Sequence, residues 1–349
     1  MSEASVPLSA LDAALLDRDS VDLSWIQPPP VSNGWTLAPD ALKLISRLVE
    51  YLRPAHILEF GSGLSTRALV RACVSVGKPC AISAIDHDPE FGALSDELRA
   101  ELREPVTLQH QLAPVVARDM GGKFLPVYLL DSEKLACRKK VDLVIVDGPP
   151  ITLGGREGIL YQILDLSRAG TLLLLDDAKR KAEKQALAHW KDNLGDNIYI
   201  RHLEGFSKGL AAVVIRKPLE LDALTGHKFA IAKATIESIV PEGATFVVAQ
   251  TDHWGTWSHD RRAETLMSRG GVPWGAPPDG ASAVAALTEH VRRGATHLVF
   301  PWPEYWWFDH YCEFLEYIRG RYMCIVENDQ LVVFDLRRIG DVQGKHRFS

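Results

Sequence analysis

Between residues 56 and 215 short apolar runs alternate with helical stretches, and no other feature of the chain constrains its fold so strongly. HILEF (His56–Phe60), AISAI (Ala81–Ile85), VTLQH (Val106–His110), VDLVIV (Val141–Val146) and TLLLL (Thr171–Leu175) are short and largely without polar alternation. Strands covered by helices on both faces read this way, whereas one-sided strands alternate. Helical spacing separates several of them, in STRALVRACVSV and near Phe91–Leu102, Gly158–Ser167 and Ala178–Asn193. After the fifth run come two strands, Ile198–Leu203 and Leu210–Ile215, joined by a short turn. A short turn cannot make the right-handed crossover that parallel neighbours need, so one strand of the pair runs antiparallel to the rest. The expected fold class is α/β: a doubly wound, seven-stranded, mostly parallel sheet of five βα units closed by a hairpin.

A chain of 349 residues has room for a second domain. Residues 1–40 are mixed, with irregular chain marked by Pro28–Pro30 and Asn33-Gly34. A helix is expected after Pro39-Asp40, because Ala41, Ile45, Leu48 and Leu52 keep its period and Pro54 ends it. The sheet domain therefore spans 41–217, and 218–228 reads as a linker or connecting helix. The pattern then restarts as a smaller α/β domain over 229–349. Its strands are ATFVVAQ, THLVFP, YMCIVE and LVVFDL, and its helices SAVAALTEHVRR and WFDHYCEFLEYIRGR. Gly270–Gly280 reads as a long loop.

Composition narrows the partners. The formal net charge of −6 gives no support to wholesale binding of nucleic acid or anionic membrane. The acidic N-terminus MSEASVPLSALDAALLD lacks the basic start and apolar core of a signal peptide, and no apolar run is long enough to span a bilayer. Five widely spaced cysteines with no CxxC pair fit reduced, buried residues of a cytoplasmic chain.

The chemistry begins at Glu59-Phe60-Gly61-Ser62-Gly63-Leu64-Ser65-Thr66, which follows a strand and opens a helix. Glycines there let the backbone approach a ligand closely. A dinucleotide fingerprint would put a third glycine at position 66, where this chain has Thr66, and Glu59 would repel a pyrophosphate. Those two residues disfavour a nicotinamide dehydrogenase. Asp86 ends the second strand, where a carboxylate can accept hydrogen bonds from both ribose hydroxyls or can cap the next helix.

With these blocks in order, ILEFGSGLST, AISAIDHDPEF, DLVIVDGPP and GTLLLLDDAKR, the chain resembles the class I S-adenosylmethionine-dependent methyltransferases over about residues 40–217. The resemblance implies a Rossmann-like sheet and S-adenosylmethionine as cofactor. It assigns Glu59, Gly61, Ser62, Gly63 and Ser65 to the methionine side, Asp86 and His87 to the ribose side, and Asp147 to the neighbouring strand end. After the third strand the chain offers Gln109 and Gln111 to the adenine.

Asp147 and the pair Asp176-Asp177 lie at the carboxyl ends of adjacent strands, where ligands of open α/β sheets bind. Three converging carboxylates suit a hard divalent cation (Mg, Mn or Co), which would orient an acceptor hydroxyl and lower its pKa. The bland alternative is that the pair caps the next helix. Metal-dependent O-methyltransferases of phenols and sugars resemble this pattern, but the phenol enzymes carry a lysine where this chain has Gly148-Pro149-Pro150.

DGPP…GGREGILYQILDLSRAG…LLDDAKRKAEK further resembles the glucuronoxylan-type sugar O-methyltransferases. That resemblance implies a sugar or glycan acceptor, with Asp147, Asp176 and Arg156 in the catalytic centre and Arg156 and Arg180 facing a uronate. The alternative for both arginines is a solvated helix face. GATHLVFPWPEYWWFDHY resembles a module that accompanies bacterial glycosyltransferases, which implies glycan-synthesis proteins as partners. Its aromatics would stack on sugars or, at helical spacing, fill a core. His253, His259 and Asp260 form a poor histidine metal site.

Three functions stay in view: a sugar O-methyltransferase, a small-molecule O-methyltransferase acting on a natural product, and an inactive methyltransferase-fold module that recruits glycan machinery.

Overall fold

The apolar runs fold as the interior strands of one sheet. The computed structural model describes residues 5–26, 36–90, 96–131, 135, 141–249, 262–269, 272–273 and 275–337. It divides into two units, Met1–Thr225 and Gly226–Ser349. The first unit holds β1 (His56–Phe60), β2 (Cys80–Asp86), β3 (Val106–Leu112), β4 (Val115–Asp119), β5 (Phe124–Tyr128), β6 (Leu143–Val146), β7 (Leu172–Asp176), β8 (Ile198–Leu203) and β9 (Leu210–Ile215). Seven of these form the sheet in the order β3-β2-β1-β6-β7-β9-β8. Strands β1, β2, β3, β6 and β7 pair in parallel, and β9 lies antiparallel to both β7 and β8. The strand order reverses between β1 and β6, so the carboxyl ends of these two neighbours frame the crevice where such sheets bind ligands.

Helices cover both faces, which is why β6 and β7 are buried at every position. On one face α1 (Ser5–Asp17), α2 (Pro39–Leu52) and α3 (Leu64–Val76) pack Leu11, Leu42, Ile45, Leu48 and Leu69 against Ile57, Ile82 and Leu143. Helix α2 starts with proline in its first turn, where the missing N–H costs nothing. It ends at Arg53, in the left-handed region before Pro54. The opposite face carries α5 (Glu157–Gln162) and α6 (Lys181–Leu194), with Trp190 and Tyr161 fully buried. A short α4 (Asp96–Glu101) precedes β3.

Two expectations need correction. Between VTLQH and VDLVIV the described residues form the antiparallel ribbon β4–β5 and no helix, so the third βα unit is replaced by a hairpin there. Residues 1–40, read as mixed chain, supply α1, whose Leu11 and Ala14 are wholly buried. The segment 218–228 contains the start of α7 (Leu221–Ile239), which runs across the division between units.

The second unit is a five-stranded sheet in the order β11-β10-β14-β16-β15. Its strands are β10 (Thr245–Val248), β11 (Arg262–Thr265), β14 (Ala295–Pro301), β15 (Met323–Glu327) and β16 (Leu331–Asp335), with a separate ribbon of β12 (Ser268–Arg269) and β13 (Val272–Pro273). Residues of α7 and the residue after it cover one face with Ala232, Ile236 and Val240. Helices α8 (Gly280–Arg292), α9 (Trp306–His310) and α10 (Cys312–Arg321) cover the other. The expected long helix WFDHYCEFLEYIRGR breaks at Tyr311, whose φ and ψ of −109° and 61° are not helical. Among the described residues no helix is long and apolar enough to cross a membrane.

Candidate active site

The glycine loop turns tightly because β1 and β6 end side by side. Gly61 has φ +92°, and a Cβ there would lie 2.9 Å from the Gly148 nitrogen, so the position tolerates only glycine. Asp86, at the end of β2, clamps the loop from the other side. Its Oδ2 accepts from the Ser62 N–H at 2.7 Å and the Ser62 hydroxyl at 3.3 Å, while Oδ1 accepts from the Asp88 N–H at 2.8 Å. His87 Nδ1 lies 3.2 Å from Asp86 Oδ1.

Glu59 and Thr66, the residues that set this loop apart from a dinucleotide fingerprint, are partners. The Thr66 hydroxyl donates to Glu59 Oε2 at 2.5 Å and accepts from the Gly63 N–H at 3.0 Å. Glu59 is fully buried, and its Oε1 has no hydrogen-bond partner among the described residues. Burial pushes its carboxyl up from 4.5 to about 7, against the Ser65 and Thr66 hydroxyls, which favour the ionised form.

The second group of acids sits at the ends of β6 and β7. The register pairs Val146 with Leu175, which brings Asp147 beside Asp176. Asp177 has φ +58°, a left-handed backbone that aspartate tolerates better than most residues. One oxygen from each of Asp147, Asp176 and Asp177 lies within 4.8 Å of the others. Arg156, just before α5, reaches into this group. Its Nη2 donates to Asp147 Oδ1 and to Asp177 Oδ2, each at 2.9 Å. Its Nη1 donates to the Asp176 carbonyl at 2.8 Å and lies 3.8 Å from Glu183 Oε1. Arg180 Nη1 is 2.8 Å from the same Asp177 Oδ2. Burial raises the Asp147 carboxyl well above the carboxylate range despite Arg156, and it raises Asp176 to about 6, assisted by the Asp177 charge.

Between the two groups lies a cavity of about 690 Å³. Gly61, Ser62, Gly63, Ser65, Asp86, His87, Asp147, Arg156, Asp177 and Arg180 line it, so most of the residues expected from the sequence come together. Glu59 and Asp176 are not among the lining residues, and neither are Gln109 and Gln111. Glu59 was expected to meet the cofactor, but it lies beneath the loop and acts on it through Thr66. Arg156 was expected to face a uronate, but both its terminal nitrogens are engaged inside the protein.

Tyr128 was missed. It comes from the ribbon β4–β5, which the sequence did not reveal, and its hydroxyl is buried at the cavity without a hydrogen-bond partner among the described residues. Phe60 stacks on its ring at 5.5 Å, and a Cβ on Gly148 would lie 2.3 Å from its hydroxyl. Burial raises this phenol above its ordinary value. Thr36 and Leu37, from the segment ahead of α2, were missed as well, as were Ile151 and Leu153, exposed apolar residues at the rim.

In the second unit the aromatic block is mainly core: Trp302, Trp307 and Tyr311 are buried, and Trp306 is exposed. Buried Glu304 accepts from the Trp307 and Trp306 indoles at 2.9 and 3.2 Å. His253, His259 and Asp260 lie outside the described residues.

No protein-family model matches the chain, and no curated protein does. Several solved structures are similar at low identity. One is an S-adenosylhomocysteine-bound methyltransferase of Podospora anserina, with 16% identity, 60% of this chain and 88% of that chain covered, and a TM-score of 0.37. An O-methyltransferase from Bacillus cereus in complex with S-adenosylhomocysteine has 17% identity, coverage of 59% and 90%, and a TM-score of 0.36. The O-methyltransferase TomG of Streptomyces achromogenes, involved in tomaymycin synthesis and solved with S-adenosylmethionine, has 17% identity, coverage of 59% and 89%, and a TM-score of 0.38.

Proposed function

We propose that the chain is an S-adenosylmethionine-dependent O-methyltransferase whose cofactor lies in the cavity between the glycine loop and β6. The observation that carries this reading is the charge of the lining. Asp86, Asp88, Asp147 and Asp177 line the cavity with Arg156 and Arg180, and both arginines are paired with Asp147 or Asp177, which leaves Asp86 and Asp88 without a guanidinium partner among the described residues. A pyrophosphate would be repelled there, whereas a ligand with ammonium and sulfonium groups is favoured. The cofactor supplies a methyl group activated by sulfonium. The chain's residues then bind and orient. Asp86, already fixed by Ser62 and Asp88, keeps lone pairs for a ribose diol. Ser62, Gly63 and Ser65 form the loop beside it. Glu59 and Thr66 hold the loop's shape from below. In this reading Asp147 takes the proton from an acceptor hydroxyl, supported by its position at the cavity with Arg156 on its other side.

For the acceptor, the resemblance on DGPP and GR-x-G-x-x-Y favours a sugar hydroxyl of a glycan or glycan precursor. A small, partly apolar acceptor is the second reading, supported by the exposed Ile151 and Leu153 at the rim and by the engagement of Arg156. Partners in glycan synthesis would belong to the second unit. Transfer of labelled methyl from S-adenosylmethionine to neutral sugars, uronates and small hydroxylated aromatics separates the readings. Labelling of a sugar supports the first and labelling confined to the aromatics the second. Failure to bind S-adenosylhomocysteine at all would overturn the methyltransferase reading.

A further inference from the structure

Three carboxylates at adjacent strand ends look like a divalent-cation site in the sequence. The structure fills that site differently. We propose that Arg156 is the resident cation of the group Asp147, Asp176 and Asp177, and that this group holds no divalent metal.

Two of the three carboxylates are already bound by arginine, whereas Asp176 meets Arg156 only through its backbone carbonyl and its buried Oδ2 has no hydrogen-bond partner among the described residues. Arg156 Nη2 takes Asp147 Oδ1 and Asp177 Oδ2 together, each at 2.9 Å, so one nitrogen bridges the two carboxylates as an ion would. Asp177 Oδ2 carries a second guanidinium, that of Arg180, at 2.8 Å. A divalent ion needs oxygens at roughly 2.0–2.6 Å, mostly from carboxylates, carbonyls and water. To reach these oxygens it would have to displace a side chain that is 4% exposed, tied to the Asp176 carbonyl and close to Glu183. Were Arg156 to stay, the ion would sit within a few ångströms of a guanidinium in a poorly solvated place, where like charges repel strongly.

The surrounding chain is built to bring the arginine in. Arg156 follows Gly154 and Gly155, both at positive φ, and directly precedes α5. Asp177 adopts its left-handed backbone one residue after β7 ends, and that turn faces its carboxylate towards Arg156 while Asp176 stays in the strand. A guanidinium offers fixed, planar donors and is always charged. It can therefore hold Asp147 at the cavity edge with no exchangeable ion. Arg156 is a positioning residue in this account. The inference concerns the site of the proposed methyl transfer, and only its consequence for turnover depends on that reading.

The test is a titration of Mn²⁺ into the full chain, followed by the free-ion electron paramagnetic resonance signal, with S-adenosylhomocysteine binding measured calorimetrically on the same preparation. The wild-type chain is expected to leave the signal undiminished, and Arg156→Lys, which keeps the charge, to behave alike. Arg156→Ala frees Asp147 Oδ1, leaves Asp177 Oδ2 with Arg180 alone and opens the space beside Asp176, and is expected to take up one equivalent of Mn²⁺. If that variant does not fold, the wild type and Arg156→Lys still decide. One equivalent bound by the wild type, and lost in Asp177→Asn, would overturn the proposal. Loss of S-adenosylhomocysteine binding would count against the cofactor reading alone. Where methyl transfer is measurable, chelator is expected to leave its rate unchanged, and a chelator-sensitive rate restored by Mn²⁺ would count against the proposal.

Discussion

Two groups of buried acids share the carboxyl edge of the first unit's sheet, and they are satisfied in opposite ways. Glu59 and Asp86 are held by neutral donors: the Thr66 hydroxyl, the Ser62 N–H and hydroxyl, and the Asp88 N–H. Asp147 and Asp177 are held by a cation that the chain itself provides. In the first group Asp86, which lines the cavity, keeps its negative charge available to an incoming cation, while Glu59 lies beneath the loop; the second group has largely answered its own charge. Residue type alone therefore does not tell what a carboxylate cluster binds. The donors already in place decide it.

Removing the internal cation should have the largest effect. Arg156→Ala leaves Asp147 without its cationic partner and Asp177 with Arg180 alone, and a broken buried pair typically costs about 3–5 kcal/mol. Urea denaturation of the full chain should register most of that loss, and a change below about 1 kcal/mol would mean that the cluster is solvated or protonated.

Glu59→Gln sharpens the other side of the comparison and has the opposite sign. The wild-type carboxyl moves from 4.5 in the open chain to about 7 when buried. Burial therefore costs nothing below about 4.5, costs more as pH rises towards 7, and is constant above. Glutamine can still accept the Thr66 hydroxyl and carries no charge. The variant should be more stable than wild type at pH 8, by up to about 3 kcal/mol at 1.4 kcal/mol per unit. The difference should vanish by pH 4. A variant less stable at every pH would show that the charge is compensated by a donor.

Asp86→Ala should weaken S-adenosylhomocysteine by about 10- to 100-fold, the loss of hydrogen bonds to a charged acceptor worth roughly 1.5–3 kcal/mol. Calorimetry reads this directly, and unchanged affinity would remove Asp86 from the ribose. The smallest effect is expected for Tyr128→Phe. Its hydroxyl has no partner among the described residues, so the unliganded chain should gain up to about 1 kcal/mol. A loss larger than that would reveal a partner for the hydroxyl.

Much of this was legible in the sequence, because period and position carry through to the fold. Continuous apolar runs identified β1, β2, β6 and β7, and a short turn showed that one strand of the terminal pair is antiparallel, which is β9. The glycine loop, Asp86 and Asp147 followed from their places at strand ends. What was hidden depended on directions that sequence spacing does not contain. The β4–β5 ribbon has no strong alternation, since Pro126 and the exposed Phe124 interrupt it, and Tyr128 was lost with it. Asp176 and Asp177 are adjacent, and only the +58° turn of Asp177 separates a residue facing Arg156 from one that stays off the cavity. Glu59 read as a ligand contact because its charge suits a cation, whereas Thr66 seven residues on had already claimed one of its oxygens. A threonine at the third glycine position was the available clue to that pairing.

The most direct measurement is a calorimetric titration of the full chain with S-adenosylhomocysteine and, separately, with NAD. One equivalent of S-adenosylhomocysteine is expected to bind, weakened by Asp86→Ala, and NAD is expected not to bind a cavity lined by four acids and two arginines. Binding of NAD without S-adenosylhomocysteine would contradict both expectations.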